Sequence, residues 1–239
     1  DAEAVNQRLT VVHSLSKFLT GHNSLTGGVI YGNSPQQEAP DRFASYESRV
    51  RRYRVLTGSL MSPDDAQRAW DQTETFHLRI RQQMTNARRL ARFFRQEALG
   101  PWLRSVRYPA FGGAYSHHAP TPQEEAQPAM ADRLFNTQDG QLLPEEDRQY
   151  GAMLFFELAG VNPEARHAHL KRFVQAIRPH IPYLITLGNM RTSLLHAHIW
   201  QDKFAPHIET HGWVRLSVGF EDYDWLEGCF RAAFRAALG

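Results

Sequence analysis

The stretch from Leu9 to Gly32, LTVVHSLSKFLTGHNSLTGGVIYG, restricts the fold of this chain more than any other. It opens with a short β-branched run and ends with a second apolar run, a pattern that predicts two strands joined by a turn. The turn carries two hydroxyls and a primary amine in close succession, on Ser14, Ser16 and Lys17. Its glycines allow another group to approach the backbone closely. The sequence therefore predicts an amine presented beside two hydrogen-bond donors at the end of a strand.

An amine and two hydroxyls in one turn suit a cofactor that carries both an aldehyde and a phosphate. A lysine amine forms a Schiff base with an aldehyde, while hydroxyls and backbone amides bind a phosphate. Pyridoxal 5'-phosphate (PLP) has both groups. The same spacing also fits a solvated lysine in a serine-rich turn, so the pattern by itself leaves both interpretations open.

The segment VVHSLSKFLTGHNSLTGGVI resembles the lysine segment of the Cys/Met-metabolism PLP-dependent enzymes. That family includes cystathionine synthases and lyases, methionine γ-lyase and O-acetylhomoserine sulfhydrylase. The resemblance implies that PLP is the cofactor, that Lys17 holds it, and that Ser14 and Ser16 bind its phosphate. The family often has an aspartate soon after the Gly-His pair, where this chain has Asn23-Ser24, and this version is more similar to that of the sulfhydrylases.

Composition and charge argue against several classes of protein. The 239 residues, 42% of them hydrophobic, suffice for one large or two modest domains. A formal net charge of +2 does not indicate a nucleic-acid or membrane partner, and the arginine-dense segment 49–54 fits a solvated or interfacial face better. The single cysteine, Cys229, excludes an internal disulfide and fits a reducing compartment such as the cytoplasm.

Hydrophobic spacing predicts the elements around the lysine segment. A buried strand ends at His13, a second strand covers 29–31, and a helix covers 41–57. Ser62-Pro63 combines an N-cap serine with a proline in the first turn, which is typical of a helix start. From there the apolar positions predict one long amphipathic helical stretch that ends at about Phe94.

One segment of this long helical stretch indicates where two domains meet. TFHLRIRQQMTNA, which ends at Ala87, resembles the family segment that joins the cofactor-binding domain to the smaller C-terminal domain. The resemblance implies that residues 1–66 are the end of the PLP-binding large domain. Residues 67–239 would then be the linking helix and the C-terminal α/β domain, with a strand at 150–158 and a helix that stops at Pro179.

Residues 111–147 are rich in glycine, proline, histidine and acidic residues, and they predict a long surface loop. His117-His118 lies in this segment, and His196-x-His198 lies further along the chain. His117-His118 has no third ligand at a metal-binding spacing, and His196-x-His198 stays an alternative metal pair. The sequence therefore predicts no metal site, and a metal-dependent histidine-rich protein stays as an alternative.

Two further segments have residues suited to a substrate carboxylate. Segment 213–222 alternates, with Val214 on the apolar face and Arg215 on the other. A half-buried guanidinium needs an anion, either a bidentate carboxylate of a ligand or an internal ion pair. The resemblance to the family's V-R-L-S-V-G-x-E-D favours a substrate carboxylate on Arg215. In that family a Ser-Leu-Gly also helps to hold the carboxylate, and Thr186 occupies the position of that serine here.

The resemblance spans the chain from Val11 to the final helix and implies an α/β fold. This fold would be the C-terminal part of the aspartate-aminotransferase-type (PLP-dependent transferase) fold, with the last strands of the large domain before the small domain. The implied reaction is elimination or replacement at the β or γ carbon of an amino acid that carries a sulfur or O-acyl group. Lys17 would be the base at Cα. The implied partners are the amino-acid substrate and either further copies of the chain or a chain that supplies the N-terminal half.

The family's other PLP-contacting residues precede its lysine, and residues 1–16 have no room for them. We therefore expect this sequence to be the C-terminal half of such an enzyme. We also expect the isolated chain to bind PLP weakly and to turn over no substrate. A non-catalytic assembly or regulatory module related to the family is the alternative.

Overall fold

The computed structural model describes five stretches of the chain, residues 10–32, 46–96, 102–111, 121–196 and 213–238. The chain divides into two compact units, Asp1–Phe76 and His77–Gly239. The boundary between the compact units follows Phe76. The division of residues 1–66 from residues 67–239 into two family domains stays a prediction. No helix in the described stretches is long and apolar enough to cross a membrane.

The first unit contains a two-stranded antiparallel sheet around the lysine turn. Strand β1 (Thr10–Ser14) pairs with β2 (Gly28–Gly32). Val12 lies opposite Ile30, and the two residues are 72% and 51% exposed. The prediction of a buried strand before Lys17 is therefore wrong. Within the described stretches β1 pairs with β2 alone, and no second layer covers this face.

Two helices complete the described part of the first unit. Helix α1 covers Tyr46–Thr57, and α2 covers Pro63–Thr73. The predicted start of α2 is confirmed, because the Ser62 hydroxyl accepts a hydrogen bond from the Asp65 amide at 3.1 Å, with Pro63 in the first turn. The first residues of the helix predicted over 41–57 lie outside the described stretches.

The long helical stretch predicted up to Phe94 is interrupted. Helix α2 ends at Thr73, and α3 covers Phe76–Phe94. At the break, the Thr73 hydroxyl donates to the Trp70 carbonyl at 2.7 Å and the Thr75 hydroxyl donates to the Gln72 carbonyl at 3.4 Å. Hydroxyls that bind nearby carbonyls compete with the helical backbone bonds, which explains the interruption.

Regular structure occupies much of the segment predicted as a loop. After β3 (Leu103–Arg107), helix α4 covers Pro122–Phe135. A short hairpin then pairs β4 (Thr137–Gln138) with β5 (Gln141–Leu142), and a single 3₁₀ turn follows at Glu145–Asp147. The prediction of a loop over 111–147 is therefore wrong for the described part of that segment.

Helix α4 forms because its start is strongly capped. The Thr121 hydroxyl accepts from the Glu124 amide, and the Glu124 carboxylate accepts from the Thr121 amide, which is a complete capping box. Pro122 is placed in the first turn, where a missing N–H costs nothing. Pro128 lies inside the helix and removes one backbone hydrogen bond, and this proline favoured the loop prediction.

The second unit is built on a four-stranded antiparallel sheet. Its strands are β3, β6 (Met153–Leu158), β7 (Ser193–His196) and β8 (Trp213–Ser217), in the order β3-β6-β8-β7. Helices α5 (Pro163–Ile177) and α6 (Tyr223–Leu238) pack against each other. Val214 and Leu216 are fully buried, whereas Arg215 between them is half-buried, so the predicted alternation of β8 is confirmed.

The core of the second unit is an aromatic cluster between the sheet and the helices. Phe94 from α3 makes edge contacts at ring-centroid distances of 5.2–5.4 Å with three phenylalanines, Phe156 from β6 and Phe230 and Phe234 from α6. Phe173 from α5 stacks on Phe234 at 5.1 Å. Val214 and Leu216 of β8, the strand that carries Arg215, belong to the same buried core.

Candidate active site

A π-helical turn presents the lysine immediately after β1. The turn covers Leu15–Leu19, and within it Lys17 leaves the helical conformation, with φ −109° and ψ −133°. The fully buried Thr20 closes the turn, since its hydroxyl donates to the Leu15 carbonyl at 2.7 Å. The Gly21 amide donates to the Lys17 carbonyl at 2.9 Å, and Gly21 has a φ of +75°, a value that glycine adopts without strain.

The lysine turn is also tied to the start of β2. The Leu15 amide donates to the Gly27 carbonyl at 3.0 Å, which closes the loop between the two strands. A side chain at Gly27 would overlap the Met61 methyl group and crowd Leu15. The sequence predicted that glycines of this turn let another group approach the backbone. At Gly27 the groups that approach are side chains of the chain itself, Met61 and Leu15.

The structure brings three of the predicted site residues together on this turn. Lys17 and Ser16 are half-buried, and Ser14 is exposed at the end of β1. Neither serine hydroxyl makes a hydrogen bond to another residue in the described stretches. Lys17 is also the only lysine of the first unit, because the others in the chain are Lys171 and Lys203.

The other two predicted site residues meet in the second unit. The Arg215 guanidinium donates through one nitrogen, Nη2, to the Ile185 carbonyl at 2.7 Å and the Thr186 carbonyl at 2.9 Å. Its Nε is enclosed and finds no acceptor in the described part of the chain. Burial lowers the pKa of Arg215, and the neighbouring Tyr183 partly opposes this shift.

The internal ion pair that the sequence left open for Arg215 is absent among the described residues, where carbonyl oxygens are its acceptors. Two carbonyls orient one edge of the guanidinium but leave its positive charge unneutralised. An anionic ligand would neutralise it. The role of the Thr186 hydroxyl stays a prediction, because the contact that the structure gives with Arg215 is through the Thr186 backbone.

A buried polar network holds the loop that receives Arg215. The Ser217 hydroxyl accepts from the Gly188 amide at 2.8 Å. The Glu221 carboxylate accepts from both the amide and the hydroxyl of Thr192, at 2.6 and 2.8 Å. Asn86 of α3, which is fully buried, donates to the carbonyls of Gly219 and Glu221.

This network gives a structural role to residues of the V-R-L-S-V-G-x-E-D segment for which the sequence predicted no role. Ser217 fixes the loop at 186–188, and Glu221 fixes Thr192, the residue just before β7. Asp222 accepts from the Trp225 amide at 2.9 Å and caps α6. The signal was present in the motif, but the partners lie about 30 residues away along the chain for Ser217 and Glu221, so spacing could not identify them.

Replacing Gly219 with alanine is expected to destabilise the second unit by about 1–3 kcal/mol. A Cβ at this position would overlap the Met190 carbonyl oxygen, the Thr192 amide nitrogen and a carboxylate oxygen of Glu221. Two of these atoms belong to the backbone and cannot rotate away. Urea unfolding measures the change.

The matched control for this substitution is Gly228→Ala. Gly228 lies exposed in α6, and a Cβ there would meet nothing. Alanine has the higher helix propensity, so the control is expected to stabilise the protein by about 0.5–1 kcal/mol. Equal changes in both variants would contradict the proposed close packing around Gly219.

The histidine pairs give no metal centre in the described part of the chain. No group of three histidine, cysteine, aspartate or glutamate residues there has the geometry to hold a metal ion. His196 ends β7 with its ring 5.3 Å from that of Tyr183. His117, His118 and His198 lie outside the described stretches.

Comparison with known proteins decides the family. The family model for Cys/Met metabolism PLP-dependent enzymes matches residues 10–140, more than half of the chain, and this range includes the lysine turn. The chain belongs to the Cys/Met metabolism PLP-dependent enzyme family. PLP is therefore the cofactor that its family uses, as the resemblance of the lysine segment implied.

The relatives of this family member are about twice its length. An L-methionine gamma-lyase from Pseudomonas putida is 28% identical over 233 residues, which are 95% of this chain and 48% of the relative. A canavanine gamma-lyase from Pseudomonas canavaninivorans is 28% identical over 93% of this chain and 47% of the relative. The chain thus spans about half the length of the curated relatives that it matches.

A solved structure supports the fold. Cystathionine gamma synthase from Xanthomonas oryzae pv. oryzae matches with a TM-score of 0.66 and 21% identity, over 96% of this chain and 50% of the other. The predicted class, an α/β fold of the PLP-dependent transferase type, is confirmed.

The chemistry of the Lys17 turn fits PLP. PLP has an aldehyde, for which a primary amine is the matching nucleophile, and a phosphate, for which hydroxyls are donors. The turn supplies the amine of Lys17 and two hydroxyls that no described residue engages, on Ser14 and Ser16. The donor set of the first unit therefore matches both ends of the cofactor.

Proposed function

We propose that this chain supplies the PLP-linking lysine and the substrate-carboxylate arginine of an enzyme that eliminates or replaces a group on an amino acid. The leaving group would be joined through sulfur or an O-acyl oxygen. The relatives are named as gamma-lyases and a gamma synthase, which supports reaction at the γ carbon. The main support for the proposal is that one turn presents Lys17 together with Ser14 and Ser16, in a chain that belongs to a PLP-dependent family.

Each residue has a separate task in this proposal. Lys17 would hold the cofactor through its Nζ, and the same Nζ would act as the base that takes the proton from the substrate Cα. Ser14 and Ser16 donate hydrogen bonds to the cofactor phosphate. PLP, when bound, supplies the electron sink that lowers the energy of a negative charge at Cα.

Arg215 and Thr186 would orient the substrate in this scheme. The planar guanidinium suits a bidentate carboxylate, and its Nη2 is already held by two carbonyls, so little side-chain freedom is lost on binding. Thr186 would add a hydroxyl donor. A carboxylate that is held in one orientation restricts the orientation of the rest of the substrate, which is the main contribution of such residues to rate.

We further propose that the chain works in an assembly, either with copies of itself or with another chain. Exposed apolar side chains of the first unit support this, notably Val12, Ile30 and Tyr31 on the sheet and Leu56 on α1. The 239-residue chain by itself is then expected to show no steady-state turnover. Measurable turnover by the purified chain would contradict this part of the proposal.

Reductive trapping tests the cofactor assignment. The chain is incubated with PLP, reduced with borohydride and digested, and the peptides are mapped by mass spectrometry. We expect the pyridoxyl group on Lys17, because, of the two lysines that the structure describes, Lys17 is the one with two hydroxyls beside it on the turn. Equal labelling of Lys171, which is exposed on α5, would mean that PLP reacts with accessible amines without a site.

A further inference from the structure

The arginine-dense segment that the sequence assigned to a solvated or interfacial face lies in helix α1. Residues 46–57 contain four arginines and one carboxylate, and every residue from Arg51 to Leu60 is exposed. Three apolar side chains of the helix, Tyr53, Val55 and Leu56, are 65–73% exposed. A helix of this length is marginal in water unless another surface packs on it. The exposed apolar side chains of α1 thus indicate that a further surface packs there.

Three arginines of α1 keep their positive charge available for an outside carboxylate. Arg49, Arg52 and Arg54 are exposed, and none of them forms an ion pair with another residue that the structure describes. From Arg52 to Leu56 cationic and apolar side chains alternate. Such a surface is complementary to one that combines exposed carboxylates with exposed apolar side chains.

A surface with that composition lies in the second unit. The acidic segment, residues 121–147, contains seven carboxylates and one arginine. Four of these carboxylates are exposed and form no ion pair with another described residue: Glu125, Asp139, Glu146 and Asp147. Four large apolar side chains of the segment are 47–66% exposed: Met130, Leu134, Phe135 and Leu142. Exposed negative charge and exposed apolar surface thus share one short stretch of chain.

The backbone of the acidic segment is held in one arrangement by a buried asparagine. Asn136 follows α4, and its carbonyl accepts from the Leu143 amide at 2.7 Å while its side-chain oxygen accepts from the Gln149 amide at 2.6 Å. The Arg148 Nε donates to the Leu143 carbonyl at 2.9 Å. These bonds tie the end of α4 to the hairpin and to the 3₁₀ turn. Because the backbone is already ordered, a partner that binds this surface loses little conformational entropy.

We propose that α1 of one copy of the chain docks on the acidic segment of a second copy. The apolar side chains of both surfaces form the centre of the contact, and the arginines and carboxylates form its charged rim. Like surfaces repel each other, so the charges select the pairing of α1 with the acidic segment over the pairing of either surface with itself. The inference rests on the assembly proposed above and names its partner, a second copy, and the two surfaces that meet.

Each copy carries both surfaces, so the contact is made in two directions. When two copies exchange their α1 helices, both contacts form and the pair is closed; when they do not, the contact continues into a larger assembly. In either case the association depends on opposite charges at the rim and weakens as salt screens them.

Sedimentation velocity of the purified 239-residue chain tests the partner. We expect concentration-dependent association that weakens about tenfold from low to high salt. A chain that stays monomeric at every concentration in low salt would overturn the inference. That result would leave an assembly with another chain in place.

Two charge-reversal variants test the surfaces. Arg52→Glu/Arg54→Glu reverses the charge of α1, and Glu146→Lys/Asp147→Lys reverses that of the acidic segment. Each variant by itself is expected to associate at least about tenfold more weakly, because attraction at the rim becomes repulsion. An equimolar mixture of the two is expected to recover the association, since a mixed pair has one contact with both charges reversed and one wild-type contact. Recovery on mixing requires that the two surfaces belong to different copies.

The control variant is Lys171→Glu/Arg81→Glu, which changes the net charge by the same amount as the α1 reversal. Both residues are exposed in the second unit and outside the two surfaces, so association at the wild-type level is expected. An equal loss in this control, or reversal variants that associate normally or do not recover on mixing, would refute the proposed contact.

Two further variants keep the test decisive if a reversal variant does not fold, as judged by circular dichroism. Leu56→Ser and Leu134→Ser each remove one exposed apolar side chain from the two surfaces and are expected to weaken association about tenfold. Wild-type association in both would contradict the inference. Trapping of PLP on Lys17 is expected to be unchanged in all these variants, so a failure of this contact is distinguished from a failure of the cofactor assignment.

Discussion

Replacing Lys17 with alanine is expected to abolish the absorbance band that PLP forms with the wild-type chain. The band requires a covalent link between a primary amine and the cofactor aldehyde, and alanine has no nucleophile. The chain has three lysines, and of the two that the structure describes, Lys17 is the one that lies beside two hydroxyls on a closed turn. Spectra recorded during titration with PLP measure the effect, which is expected to be complete.

Two control variants show whether this loss is specific. Lys171→Ala removes an exposed amine from α5 and is expected to leave the band unchanged. Ser16→Ala keeps the amine but removes one proposed phosphate donor, so the band is expected to form with about tenfold weaker PLP affinity. A band of wild-type intensity in Lys17→Ala would assign the link to another lysine and end the proposed role of the turn.

The lysine turn was predictable because all its parts lie close together in sequence. Ser14, Ser16 and Lys17 span four positions, and a turn between two apolar strands is read from local spacing. The cap at Ser62 was predictable for the same reason, since its hydrogen bond reaches only to Asp65. Local patterns thus predicted the geometry that the proposed cofactor chemistry needs.

The acceptors of Arg215 were not predictable in this way. The alternation of β8 placed the arginine on the correct face, but its carbonyl acceptors lie 30 and 29 residues earlier in the chain. Whether a half-buried guanidinium meets a carboxylate or a carbonyl depends on how distant segments fold together. The sequence therefore could not decide whether Arg215 forms an internal ion pair. Among the described residues the structure shows carbonyl acceptors and no carboxylate partner for Arg215.

The wrong predictions have physical reasons of the same kind. Pro128 and the polar composition of its segment favoured a loop, but a complete capping box at Thr121 and Glu124 outweighed one lost backbone bond. The helical spacing of apolar residues continues up to Phe94, so it predicted one helix and gave no sign of the interruption after Thr73. The interruption comes from a hydroxyl that binds a carbonyl of the preceding turn, and the spacing of apolar residues carries no information about such bonds.

Replacing Glu157 with alanine is expected to cost about 3–5 kcal/mol of stability, the largest effect of any single substitution considered for the second unit. Glu157 lies on β6 and is 5% exposed. Its carboxylate accepts from Arg104 at 3.0 Å and lies 3.6 Å from the buried Arg166, while Ser105 donates to its second oxygen at 3.4 Å. Removal of the carboxylate takes away one counter-charge that two guanidiniums share, one of them buried. Denaturant unfolding measures the loss.

The decisive control is a closer ion pair at the surface. Arg92 and Glu145 approach to 2.6 Å, nearer than either pair of Glu157, but their side chains are 53% and 73% exposed. Water solvates both charges when the pair is broken, so Glu145→Gln is expected to cost at most about 1 kcal/mol. If burial rather than distance sets the cost, Glu157→Ala must exceed Glu145→Gln by several fold.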